Sequence, residues 1–212
     1  MIAIVDYGRG NLGSVQQGFA RLGVETRVSA DPEEVVRADA VVFPGVGAFR
    51  DCLHHLRARG LDEALRAVVQ AGRPLLAICV GMQALLSESE EFGPSPGLNL
   101  LAGHVRRFPE ATPAGRLKVP HMGWNQLHLR RPCPLLAGVP EGAYVYFVHS
   151  YYAVPCQEEV VVATTDYGLD FASVLWHDNL YATQFHPEKS QGWGLRILEN
   201  FVTLSRGKRP CR

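Results

Sequence analysis

Short apolar runs alternate with amphipathic stretches along the first half of the chain. Ile2-Ala3-Ile4-Val5, Ala40-Val41-Val42-Phe43 and Leu75-Leu76-Ala77-Ile78 are continuous apolar runs of strand length, the pattern of strands buried on both faces. Residues 24–28 read as a further strand. Between these runs the spacing predicts helices. One is capped by Asn11 or Ser14, reaches about residue 22 and is ended by Gly23. A short one is entered at Asp31, with Pro32 at the first helical position. Two more are expected over 48–59 and 61–71. Strands that alternate with helices predict a parallel sheet with right-handed crossovers. Ligands of such sheets bind beyond the carboxyl ends of the strands. That places Pro44-Gly45-Val46-Gly47 and Cys79 on one rim.

The pattern changes after Leu86. Residues 88–97 are acidic and then turn-rich. Strands are expected over 100–108, 119–124, 144–148, 160–165, 172–176 and 180–184, separated by turn signals at Pro109, Pro113-Ala114-Gly115 and Val139-Pro140-Glu141-Gly142. This half reads as an antiparallel extension of the sheet. A last helix is predicted over 191–205. The expected fold is α/β, a central, mostly parallel sheet flanked by helices, with residues 1–206 as a single domain and 207–212 as a flexible basic tail.

Composition narrows the classes of function. The chain has 212 residues, 47% hydrophobic and 20% charged, an ordinary globular balance. Lys plus Arg and Asp plus Glu are 21 each, so the formal charge of +0 argues for neither a nucleic-acid nor an anionic-membrane partner. No apolar run approaches the length of a bilayer span, and the N-terminus runs straight into a strand without a basic leader. A cytoplasmic location is expected. The five cysteines, Cys52, Cys79, Cys133, Cys156 and Cys211, are odd in number, widely spaced and without a Cys-x-x-Cys pair. They form neither a disulfide framework nor a zinc site. One special cysteine in a reducing compartment fits better, and no metal or cofactor is expected. The glycines of Asp6-Tyr7-Gly8-Arg9-Gly10-Asn11 hint at phosphate binding, but the full dinucleotide fingerprint is absent.

Cys79 is the candidate for that role. It joins the run 75–78 to helix-forming sequence, with Gly81 two places on, which is the pattern of a nucleophile elbow. A thiolate at a helix N-terminus is favoured by the dipole and by free N–H groups. The competing reading is a buried cysteine at the end of a core strand. A thiolate nucleophile needs a base and a group that orients the base. His186 and Glu188, separated by Pro187 at the end of another strand, supply both; alone, they also read as a loop histidine beside a solvated glutamate. Acyl transfer through Cys79 would also need two N–H donors for the oxyanion. The Val80 amide is one, and Val46 or Gly47 offers the second.

Together, Cys79-Val80-Gly81-Met82-Gln83 and His186-Pro187-Glu188 resemble the motifs of the class I (triad) glutamine amidotransferases, and the resemblance covers nearly the whole chain. It implies the flavodoxin-like fold of that family and attack of cysteine on the side-chain amide of L-glutamine, releasing ammonia and then glutamate. Further stretches resemble the glutaminase subunits that serve histidine biosynthesis: Asp6 to Asn11, Pro44 to Gly47, Val119-Pro120-His121-Met122-Gly123-Trp124-Asn125, Tyr146-Phe147-Val148-His149-Ser150-Tyr151-Tyr152 and Lys189-Ser190. These imply a separate (β/α)8-barrel cyclase subunit as partner in a heterodimer. By the same resemblance, Gly45, Gly47, Gln83, Glu91, Ser150 and Tyr151 would hold glutamine. Asn11, Met122, Trp124, Asn125, Tyr146 and Lys189 would face the cyclase. His121 and His149 are expected to be structural or interfacial. Activation by the liganded partner would turn the 45–47 backbone from a resting to a donating orientation. The rivals are an amidotransferase of another pathway, a silent regulatory module on the same fold, and a cysteine peptidase.

Overall fold

The computed structural model describes residues 1–113 and 115–207. The basic tail expected from 207 lies outside the described residues from 208 onward, as does Cys211. The first half follows the apolar pattern closely: β1 (Ile2–Val5), α1 (Leu12–Ala20), β2 (Thr26–Ser29), α2 (Pro32–Arg37), β3 (Ala40–Gly45), α3 (Phe49–Ala58), α4 (Leu61–Gln70), β4 (Leu75–Cys79) and α5 (Val80–Ala84). Asp31 caps α2, accepting from the Glu33 N–H at 2.9 Å, with Pro32 in the first turn. At α1, by contrast, Asn11 takes the cap position without a side-chain bond to the backbone, and accepts from Ser14 Oγ at 2.9 Å instead.

Four parallel pairings set the order β2-β1-β3-β4-(Leu180–Thr183), the flavodoxin-like winding. The chain winds outward from β1 to β2 and then back across β1 to β3. Right-handed crossovers therefore put α1 on the face opposite α2, α3 and α4. Accordingly α1 packs with α6 (Gln191–Ser205), while α4 packs with α2 and α3. All residues of β1, β3, β4 and Leu180–Thr183 are buried, as strands covered on both faces must be.

Beyond Leu180–Thr183 the sheet turns antiparallel through Asp170–His177, Tyr151–Pro155 and Gly103–Arg107. Two features depart from the expectation. Tyr151–Pro155 is a strand the sequence reading did not separate. Tyr144–His149, expected in the main sheet, leaves it and pairs with His121–Gln126 as a two-stranded ribbon. Ser150 is the corner between the two strands, so one continuous apolar-aromatic run serves two sheets. The ribbon's inner face closes onto the main sheet through an aromatic cluster: Phe147 meets Phe171 and Phe185 edge-on, with centroids 5.6 and 5.7 Å apart. Its outer face carries Met122, Trp124 and Tyr144, all exposed. Among the described residues no helix is long and apolar enough to cross a membrane.

Candidate functional site

The register of three parallel strands assembles the site. Gly45 of β3 lies beside Cys79 of β4, and Thr183 beside Ile78, so the residue after Thr183 reaches the level of Cys79 from the other side. Cys79 itself takes φ 57° and ψ −111°, a left-handed conformation that a side chain adopts only under strain. The elbow expected from sequence is therefore present. The helix behind it is short, five residues, with Cys79 at its cap position beside the unpaired amides of the first turn.

Cys79 is 3% exposed and opens onto a cavity of about 350 Å³. The lining includes Val46, Gly47, Val80, Gln83, Glu91, Ser150, Tyr151, His186 and Lys189. Most of the residues expected at the nucleophile, the oxyanion site and the glutamine site thus come together around one hollow, whose volume suits a small ligand. Gly45 stays behind it, packed against Val80 and Gly81.

His186 and Glu188 meet as expected: His186 Nδ1 and Glu188 Oε1 are 2.8 Å apart, with both side chains buried. The second carboxylate oxygen of Glu188 is buried without a partner among the described residues. With Nδ1 committed to the carboxylate, the other ring nitrogen is left for sulfur. Burial alone would push the His186 ring toward neutrality. Hydrogen bonds to Cys79 and Glu188, and their charges, outweigh burial and raise it to about 10. A three-membered ring of hydrogen bonds holds the peptide that carries this histidine. His186 N–H donates to the Tyr146 carbonyl (3.0 Å), Tyr146 N–H donates to Ser190 Oγ (2.9 Å), and Ser190 Oγ donates to the His186 carbonyl (2.7 Å).

In the loop expected to supply the second oxyanion donor, the Val46 amide is engaged within the protein. The Val46 N–H donates to the Tyr7 hydroxyl at 3.4 Å, and Gly47 has φ +83°. Tyr7 is fully buried and kept neutral, since burial drives its phenol well up. Gln83 uses its Nε2 within the protein, on the Tyr151 carbonyl (2.8 Å) and on Gln184 Oε1 (3.2 Å), which leaves its own Oε1 as the atom offered to a ligand. Glu91 is partly committed elsewhere. One oxygen accepts from the Phe49 N–H at 2.6 Å and so caps α3, whose own cap residue is Ala48; burial raises its carboxyl.

Of the residues expected to face a partner, Trp124 and Tyr146 are opposite each other on the ribbon's outer face, rings 5.9 Å apart. Lys189 Nζ lies 5.9 Å above the Tyr146 ring, at the cavity's edge. Asn125 departs from the pattern: its amide turns inward to His121 Nε2 (3.3 Å) and the Asp166 carbonyl (2.8 Å). Asn11 sits apart from the ribbon, at the start of α1. His121 and His149 are a buried pair, ring nitrogens 3.0 Å apart, pushed down to about 4 and about 3 by burial. Neutral at ordinary pH, and tied to Asn125 and the Tyr151 carbonyl, they have the structural character expected. Cys52 and Cys133 are buried free thiols pushed up to about 12 and about 11, which makes them inert bystanders. One functional candidate went unread in the sequence: Gln184, fully buried, whose Nε2 stands 3.8 Å from Cys79 Sγ.

Comparison with known proteins bears on the family and the fold. The family glutamine amidotransferase class-I matches residues 3–204. The chain is 57% identical over 202 residues to imidazole glycerol phosphate synthase subunit HisH of Geobacter sulfurreducens, covering 94% of this chain and 97% of that protein. It is 53% identical over 209 residues to the protein of the same name from Geobacillus thermodenitrificans, covering 98% of each. Among solved structures, PurLQS from Thermotoga maritima superposes with a TM-score of 0.74 at 14% identity (96% of this chain, 97% of that one). A glutamine amidotransferase does so with 0.73 at 21% (97% and 100%). At those identities the structures speak for the fold alone. The chain belongs to the class-I glutamine amidotransferase family.

Proposed function

We propose that this chain is the glutaminase subunit of an imidazole glycerol phosphate synthase, with residues 1–206 acting as one catalytic domain in the cytoplasm. It would hydrolyse L-glutamine and pass the ammonia to a (β/α)8-barrel cyclase subunit. The observation that carries the chemistry is the buried His186–Glu188 pair turned toward Cys79 at the cavity floor. Identity above 50% to proteins named as that subunit carries the pathway.

The residues take these roles. His186 receives the Cys79 proton, and Glu188 fixes its ring and balances the imidazolium. The sulfur attacks the carboxamide carbon of glutamine, whose oxygen becomes the oxyanion. The Val80 amide is one donor to it; the Val46 N–H is the second, once released from Tyr7. The imidazolium returns its proton to the departing nitrogen, and ammonia leaves. Water then attacks the thioester, His186 takes a proton from it, the C–S bond breaks and glutamate departs. Gly47, Gln83, Glu91, Ser150 and Tyr151 hold the substrate. The outer ribbon face with Met122, Trp124, Tyr146 and Lys189 meets the cyclase.

The test is glutamate release from glutamine by the purified chain, alone and with the cyclase subunit and its ribotide ligand. Little release alone, a large rise with the liganded partner, and none from Cys79→Ala is the expected result. Release that survives Cys79→Ala would overturn the mechanism; no response to the cyclase would overturn the pathway.

A further inference from the structure

Gln184 follows the strand Leu180–Thr183, and none of the roles above uses it. Its backbone N–H donates to the Ser173 carbonyl (2.9 Å), so the residue is anchored before its side chain begins. The side chain is fully buried between Gln83 and Cys79. A carboxamide can point either end at a neighbour, and the hydrogen-bond network decides which. Gln83 Nε2 is a donor, already spending one hydrogen on the Tyr151 carbonyl. It can face only an acceptor. Gln184 therefore turns Oε1 to Gln83 and Nε2 to sulfur, and reversing it would set donor against donor.

An N–H···S contact at 3.8 Å to a neutral thiol is weak, whereas the same contact to a thiolate is charge-assisted. The interaction strengthens as the proton leaves. The structure assigns Gln184, we propose, as a fixed donor to the nucleophilic sulfur that stabilises the Cys79 thiolate. Sulfur carries negative charge twice in the cycle, before attack on the carboxamide and again as the C–S bond of the thioester adduct breaks. One donor, oriented by Gln83, serves both moments. Gln83 is then a positioning residue as well as a substrate contact. The inference rests on the reading of Cys79 as the nucleophile.

The experiment is alkylation of Cys79 by iodoacetamide, followed by peptide mass spectrometry across pH, with the full-length chain. Gln184→Met keeps length and volume but has no donor. It should move the half-maximal pH of alkylation up by about one to two units, leaving the plateau at high pH in place. Gln184→Glu, which turns a carboxylate toward sulfur, should move it further. A profile unchanged in Gln184→Met overturns the assignment. If the variants do not fold, the wild-type protein still decides: the Gln184 side-chain amide resonances should shift with the same midpoint as Cys79 alkylation, and stay fixed in Cys79→Ala. Resonances indifferent to pH in the wild type would overturn the assignment just as surely. A wild-type Cys79 that never alkylates sinks the nucleophile reading instead.

Discussion

Gly45 and Gly81 meet with no room for a side chain on either. A Cβ on Gly45 would stand 2.3 Å from the Gly81 nitrogen, and one on Gly81 would stand 2.2 Å from the Phe43 carbonyl oxygen. This contact lets α5 start hard against β3 and holds the strained Cys79 between them. Gly81→Ala must displace backbone, which costs about 1–3 kcal/mol by the usual measure of overpacking. We expect a lower urea midpoint and a Cys79 that no longer reacts with a glutamine-like electrophile. Full reactivity in Gly81→Ala would show that the elbow does not need this contact.

Glu188 spends one oxygen on His186 and has no partner for the other among the described residues. Glu188→Gln keeps the shape and removes the charge that balances the imidazolium. Turnover should fall roughly 10²-fold or more while KM for glutamine changes little. A KM effect with unchanged turnover would move Glu188 from the machinery to the binding wall.

The raised His186 has a pH signature. The unfolded ring releases its proton near 6.5 and the folded one near 10, so the folded state binds more protons between them. Its stabilising contribution is complete below 6.5 and is lost as pH climbs toward 10. Cys79→Ala removes one cause of the raised value, and its denaturation midpoint should fall less steeply over that interval. Equal slopes for the two proteins would disprove the coupling.

Tyr7 accepts from the Val46 N–H, the proposed oxyanion donor, through a long bond of 3.4 Å. Tyr7→Phe removes it. A bond of that kind is worth about 1 kcal/mol, so release of glutamate without the partner should rise by roughly two- to tenfold. A fall in that basal rate would mean that Tyr7 supports the loop rather than restraining it.

Trp124 is 44% exposed, so Trp124→Ala should leave the isolated subunit's stability within about 0.5 kcal/mol. If the ribbon meets the cyclase, the same change should weaken the complex by about 2 kcal/mol, as loss of an aromatic anchor does. Titration calorimetry with the cyclase measures it, and undiminished affinity would place the interface elsewhere.

Much of this was legible from local pattern. Continuous apolar runs gave away β1, β3 and β4, because strands covered on both faces need no alternation. Asp31-Pro32 announced α2, and the last helix runs over the residues expected. Cys79, His186 and Glu188, which the structure brings together, could be named because two short motifs each carry a physical demand. What escaped depends on contacts between distant parts. Tyr151–Pro155 was hidden because Ser150 is a corner without a turn signal: the strand directions change where the hydrophobicity does not. Gln184 looked like a polar residue ending a strand, and only its bonds to Gln83 and Cys79, 101 and 105 residues away, set it apart. Asn125 looked surface-bound in a motif, yet its inward turn follows from a carbonyl at Asp166. Glu91 sat in an acidic run, while its capping of α3 answers the lack of a capping side chain at Ala48.

The ring of hydrogen bonds among Tyr146, Ser190 and His186 has a mechanical consequence. The backbone of His186, the proposed general base, is hydrogen-bonded directly to Tyr146, a residue of the ribbon's outer wall. A grip on that wall is a grip on the base, with no intervening lever. Substitutions that slacken the ribbon will therefore register in turnover and in affinity together, and the two readouts cannot be tuned apart at these positions.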